Sequence, residues 1–177
     1  MRMDFIGTVC GFLMSVAVCV AGGPQNYGNM TQKIDGEWHV LGTTFPMWKK
    51  GDKLNPRFRY TPLGPGVWKD EVLYDKKNGK TGTIKGKDRL LGENPSRFKW
   101  RGDGLLMVAV SKWQIDYVSP DGNTMLISFE KTAFTPSGAD VISRKNTITG
   151  TDKAMMFNIL HERFAGKMDA EWVWLVA

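Results

Sequence analysis

The chain has 177 residues, enough to close one hydrophobic core and short for two domains. Its 42% hydrophobic and 24% charged residues make a globular composition and exclude a disordered chain. The formal net charge of +6 suits an acidic partner without identifying one. The basic residues are scattered through predicted turns rather than gathered on one helix, so no nucleic-acid partner is expected.

The first 23 residues differ from everything after them. Arg2 lies in a short polar lead, residues 5–21 are apolar and small, and Cys19-Val20-Ala21 has the size pattern of a signal-peptidase site. Residues 1–21 therefore read as a signal peptide and residues 22–177 as the mature domain, secreted or, in a bacterium, periplasmic. A membrane anchor is the rival reading, but the run barely reaches spanning length and is diluted with Gly, Ser and Thr. Both cysteines, Cys10 and Cys19, fall inside this segment, so the mature domain would hold no disulfide, no thiol nucleophile and no cysteine metal site. Asn29-Met30-Thr31 is a glycosylation sequon, meaningful only in a eukaryotic secretory path.

From Gly36 onward short alternating runs are broken by Gly, Pro, Asn and Asp, which predicts antiparallel strands. The runs cover residues 36–45, 57–62, 67–74, 81–89, 96–101, 112–119, 123–131 and 139–144. Asn78-Gly79, Asn94-Pro95, Asp121-Gly122 and Ser137-Gly138 mark turns between them. Thr151-Asp152 is a candidate cap for a helix running to Phe164, with Ala154, Phe157, Leu160 and His161 on one stripe. Residues 172–176 then read as a short terminal strand. The pattern predicts an all-β fold, an eight-stranded antiparallel up-and-down barrel with a C-terminal α-helix. Closure removes exposed edges, and eight strands leave room for one small ligand.

Metal and cofactor chemistry finds no foothold. His39 and His161 are the two histidines, far apart, without metal-ligand spacing. No Gly-x-Ser-x-Gly elbow supports a serine nucleophile, and Gly102-Asp103-Gly104 reads as a turn rather than a phosphate loop. What remains is the interior face of the sheet. On a period of two, Phe98 and Trp100 share a face, as do Trp113, Ile115 and Tyr117, then Met125, Ile127 and Phe129, while Tyr60 pairs with Phe58. Tyr60, Phe98, Trp100, Trp113, Ile115, Tyr117, Met125, Ile127 and Phe129 are the candidate ligand-binding set. Near the closed end the same residues would simply fill a core; towards an open end large aromatics line a pocket.

Three stretches together resemble the lipocalins of the calycin superfamily. Gly36-Glu37-Trp38 sits on the first strand as that family's Gly-x-Trp does. Residues 113–120 are placed like its second motif, with Ser119 where an Asp is usual, and Ile142-Ser143-Arg144 looks like its last-strand arginine. The ending Trp172-Val173-Trp174 is similar to the branch containing bacterial lipocalin and apolipoprotein D. His39 departs from the usual Tyr, and the apolar stretch 105–110 either flanks the barrel mouth or continues its wall. The resemblance implies that Gly36, Trp38 and Arg144 are structural, with the guanidinium lying across the indole. It also implies a carrier of a small hydrophobic ligand such as a fatty acid, lysolipid, sterol, retinoid or pigment. The alternative is an enzyme on the same scaffold, a cyclase, isomerase or Diels–Alder catalyst using donors from Tyr60, Tyr117 or Trp100. Two cation clusters, Lys49, Lys50, Lys53, Arg57 and Arg59, then Lys76, Lys77, Lys80, Lys85 and Lys87, are either a solvated face or a site for an anionic membrane surface.

Overall fold

The computed structural model describes residues 34–133, 135–164 and 171–176. Residues 1–21, read as a signal peptide, both cysteines and the Asn29 sequon lie outside the described residues.

Strand β1 (Gly36–Thr43) leads through the one-turn helix α1 (Pro46–Lys49) into β2 (Lys53–Gly64), β3 (Val67–Lys76), β4 (Thr81–Leu90) and β5 (Arg97–Gly102). A 3-10 turn (Gly104–Leu106) precedes β6 (Val110–Val118), β7 (Thr124–Phe129) and β8 (Gly138–Ser143). Helix α2 (Gly150–Phe164) and β9 (Val173–Trp174) complete the order. Each strand pairs antiparallel with the next, and β1 pairs with both β8 and β2, which closes the barrel. Strand β9 adds to β1, with Gly42 opposite Trp174.

The alternation that makes these strands also sorts their faces. Phe58 and Tyr60 on β2 and Trp68, Asp70 and Val72 on β3 turn inward, while Arg57, Arg59, Lys69 and Glu71 turn outward. The outward residues form ion pairs across strands, among them Arg59–Glu37 at 2.7 Å and Arg57–Asp75 at 3.1 Å. Strand β8 has no exposed face, because α2 covers its outside. Leu126, Ala139, Val141, Met156 and Leu160 form this outer cluster, while Ile142 faces into the barrel.

The helix packs differently from expectation. Met156 and Leu160 are its buried pair, whereas Phe157 is exposed and stacks on His161 away from the sheet. Both pairs have i, i+4 spacing and differ by one helical step, so contact with the barrel selects between them. Its cap is Thr149 rather than Thr151. The Thr149 Oγ1 accepts the Asp152 backbone N–H at 3.1 Å, the N-cap bond, and donates to Asp152 Oδ2 at 2.7 Å.

One end of the barrel is sealed by Trp38, which is fully buried and donates its indole N–H to the Ile34 carbonyl at 2.7 Å. The Arg144 guanidinium lies 3.8 Å from the Trp38 ring and donates to the Glu37 carbonyl at 3.3 Å. Gly36 has φ of 93° and sits against Arg144 Nη1, so a side chain there would be strained and would displace the guanidinium.

Candidate ligand cavity

At the end of β1 away from Trp38 the barrel holds a cavity of about 660 Å³. Its walls are Phe58, Tyr60, Val72, Ile84, Trp100, Trp113 and Phe129. Helix α1 roofs one side. Pro46 opens the helix, where a missing N–H is harmless, and the turn buries Trp48 beside Tyr74 at 6.3 Å. Phe45 stands edge-on to Phe129 at 5.3 Å. The 105–110 stretch is the rim rather than plain wall. Leu105, Leu106 and Val108 line the cavity while remaining exposed, Leu105 completely so.

The aromatic residues form a connected stack. Phe98 lies parallel to Trp113 at 4.2 Å, Tyr60 stacks on the same indole at 5.9 Å, and Phe58 continues from Tyr60 at 6.2 Å. Trp113 is anchored by its N–H, which donates to Asp88 Oδ1 at 2.7 Å. Trp100 lies across Gly86 on the neighbouring strand, where any side chain would meet the indole and the Arg101 carbonyl. That close approach brings Trp100 Nε1 near Asp70, though short of a formed hydrogen bond.

Three acids sit inside this aromatic shell. Asp70, Asp88 and Asp140 are 4%, 0% and 1% exposed. Asp70 and Asp88 are diagonal neighbours on the inner face of β3 and β4, since Asp70 is opposite Gly86 and Trp68 opposite Asp88. Each leaves one buried oxygen without a hydrogen-bond partner, Asp70 Oδ1 and Asp88 Oδ2. Burial and then the charge of Asp88 hold Asp70 well above the usual carboxylate range. Burial pushes Asp88 up to about 7 against the opposing Trp113 N–H, and Asp140 to about 7 against the Thr43 hydroxyl. Burial first, then the negative charge of all three acids, keeps the Tyr60 phenol neutral. Among the described residues no Lys, Arg or His lines the cavity.

Of the candidate ligand residues, Tyr60, Trp100, Trp113 and Phe129 line the cavity. Phe98 lies one layer deeper, fully buried under Trp113. Ile115, Met125 and Ile127 are sealed in the floor at 3%, 0% and 0% exposure. Tyr117 is on the other side of the sheet, with its hydroxyl 3.7 Å from Met155 Sδ on α2. A bulge between Ile115 and Tyr117 reverses the alternation there, so Val118 rather than Tyr117 faces inward. The sequence reading missed the acids and Trp48. Asp70 and Asp88 carried a signal, since each occupies the apolar parity of its strand. Asp140 carried none, because Ala139 and Val141 on the opposite face are equally apolar. In the cation clusters, Arg57, Arg59 and Lys53 are paired with acids, and Lys87 is 4.0 Å from Asp103.

No protein-family model matches the sequence, and no curated protein matches it. Solved structures match its fold. Lobster apocrustacyanin A1 is similar with a TM-score of 0.61 at 11% identity, over 85% of this chain and 82% of its own. The siderocalin Ex-FABP gives 0.62 at 12% identity, over 82% of this chain and 95% of its own. The bovine lipocalin allergen Bos d 2 gives 0.59 at 12% identity, over 82% and 93%. Identities this low speak for architecture alone, and in architecture the chain has the lipocalin fold, a closed eight-stranded up-and-down barrel with a C-terminal helix and a short extra strand.

Proposed function

We propose that the protein is a secreted carrier that holds one small hydrophobic molecule in the barrel cavity, with Tyr60, Trp100, Trp113 and Phe129 as its main contacts. The observation that carries this reading is the cavity itself: about 660 Å³, walled by aromatic and aliphatic side chains and rimmed by exposed Leu105 and Val108. That volume falls in the range of small-molecule sites. Each 100 Å² of apolar ligand surface removed from water contributes about 2.5 kcal/mol, so a lipid-sized body can bind with few polar contacts. A structural neighbour, the siderocalin Ex-FABP, is described as acting through dual ligand specificities. The N-terminal segment ending at Ala21 supports export, and the β9 pairing on β1 supports placement near the bacterial lipocalin and apolipoprotein D branch. Gly36, Trp38 and Arg144 hold the closed end and take no part in ligand contact.

Quenching of intrinsic tryptophan fluorescence tests the reading, because Trp48, Trp100 and Trp113 line the cavity. Saturable quenching by at least one member of a panel of lipids, sterols and amphiphiles is expected; none across the panel overturns it. One observation favours the alternative of catalysis: Asp70, which lines the cavity with Tyr60 and is held by burial above the usual carboxylate range, is a ready acid–base group. A carrier returns its ligand with unchanged mass after incubation, whereas a cyclase or isomerase returns a changed compound or a new retention time.

A further inference from the structure

The fold accounts for part of the buried acid and not the rest. Asp88 is tied to Trp113 through Oδ1. Asp140 stands apart on β8. It lines the cavity, is 1% exposed, and its Oδ1 has no hydrogen-bond partner. A buried acceptor left without a donor costs about 1–3 kcal/mol. Nothing in the packing of β8 requires a polar group there, since its inner-face neighbour is Ile142.

Tyr60 on β2 and Asp70 on β3 line the same cavity, and Thr43 stands opposite Asp140 on β1. All carry acidic or neutral oxygen, and among the described residues no cation lines the space. The rest of the wall is aliphatic and aromatic, with Trp48 and Trp100 among the rings whose π-clouds attract cations. The three acids do not gather as a metal-ligand set, for no group of three such side chains among the described residues could hold a metal ion.

We infer that the cavity selects a hydrophobic amine, its ammonium donating to the unpartnered oxygen of Asp140, with Asp70 the second acid of the same lining, while the aromatic and aliphatic wall holds its apolar body. This rests on the carrier reading and narrows it. An ammonium brings N–H donors to the oxygens that lack them. A carboxylate head in the same place would meet the Asp140 carboxyl and no cation, so a fatty acid would have to leave its head at the rim. Because burial holds Asp140 near 7, it can give up its proton to meet an ammonium close to neutral pH. The net charge of +6 disfavours approach of a cation, so a preference for amines can arise only from the cavity.

The test compares three probes with one chain and different heads, dodecylamine, dodecanol and dodecanoate, below their micelle concentrations. Tryptophan quenching is read at neutral pH in moderate salt. The unaltered protein should bind dodecylamine at least tenfold more tightly than dodecanol, and dodecanol more tightly than dodecanoate. Asp140→Asn should remove most of the amine preference, and Asp70→Asn, separately, should lower it. Dodecanoate binding as tightly as dodecylamine would overturn the inference and leave the carrier reading standing. An amine preference that survives both substitutions would also overturn it. Binding of none of the three would bring down the carrier reading as well. Should either variant fail to fold, the comparison of heads on the unaltered protein still decides.

Discussion

Replacing Asp140 by Asn should flatten the pH dependence of stability, and the sign follows from burial. In the fold this carboxyl titrates at about 7, raised by burial against the Thr43 hydroxyl, while an ordinary aspartate titrates at 3.8. The folded state therefore holds the proton more tightly than the unfolded chain. The stability linked to it is fully present below about pH 4 and is lost as pH rises through about 7. A rise from 3.8 to about 7 corresponds to about 4 kcal/mol, of which about 2–3 kcal/mol is lost between pH 5 and pH 8. Asp70 and Asp88 are raised by the same burial and add slope of the same sign. Below about pH 4 the slope reverses. Asp75, Glu71, Asp52 and Asp121 are held low chiefly by hydrogen bonds from Asn55, Lys69, Lys53 and Ser119, and protonation removes those contacts. Urea unfolding of the unliganded protein at about pH 5 and pH 8 measures the effect. The unaltered protein should lose stability over that rise, and Asp140→Asn should lose about 2–3 kcal/mol less. Equal slopes in the two proteins would refute the assignment of Asp140 as a buried, titrating acid.

Three further outcomes follow from the packing. Trp38→Ala should cost about 3–5 kcal/mol through the lost closed-end plug and Arg144→Ala about 1–2 kcal/mol, both read as lowered melting temperatures; unchanged melting in both would remove the closed-end account. Tyr117→Phe should cost under about 1 kcal/mol and leave ligand affinity unchanged, since its hydroxyl meets Met155 on the outer face; weakened ligand binding would place Tyr117 in the cavity. Gly86→Ala should displace the Trp100 indole, lowering both melting temperature and probe affinity, whereas wild-type quenching would show that Trp100 does not depend on this approach.

The barrel was legible because its signals are local and repeat. Alternation of period two marked strands, Gly-containing turns marked their ends, and Gly36, Trp38 and Arg144 carried a pattern spanning the chain. The strands run longer than read where the cue is weak. Strand β2 begins at Lys53 through a bulge after Leu54, with Asn55 at φ of 47°, which no alternation announces. A second bulge, at Asp116, misplaced Tyr117, because one extra residue reverses a face and leaves no mark in composition. The cavity acids were missed for a different reason. Aromatic parity did not single out Asp70 and Asp88, although each stands on the face whose other residues are apolar or glycine. Depth along the barrel was not legible either, so Ile115, Met125 and Ile127 were grouped with residues nearer the mouth.

The most direct test of the central claim is native mass spectrometry of the protein purified from its source without detergent. The account predicts one bound small molecule per chain, released on denaturation and carrying a basic nitrogen on a hydrophobic body. A chain that carries nothing, and takes up nothing when offered a lipid extract and a set of hydrophobic amines, would contradict it.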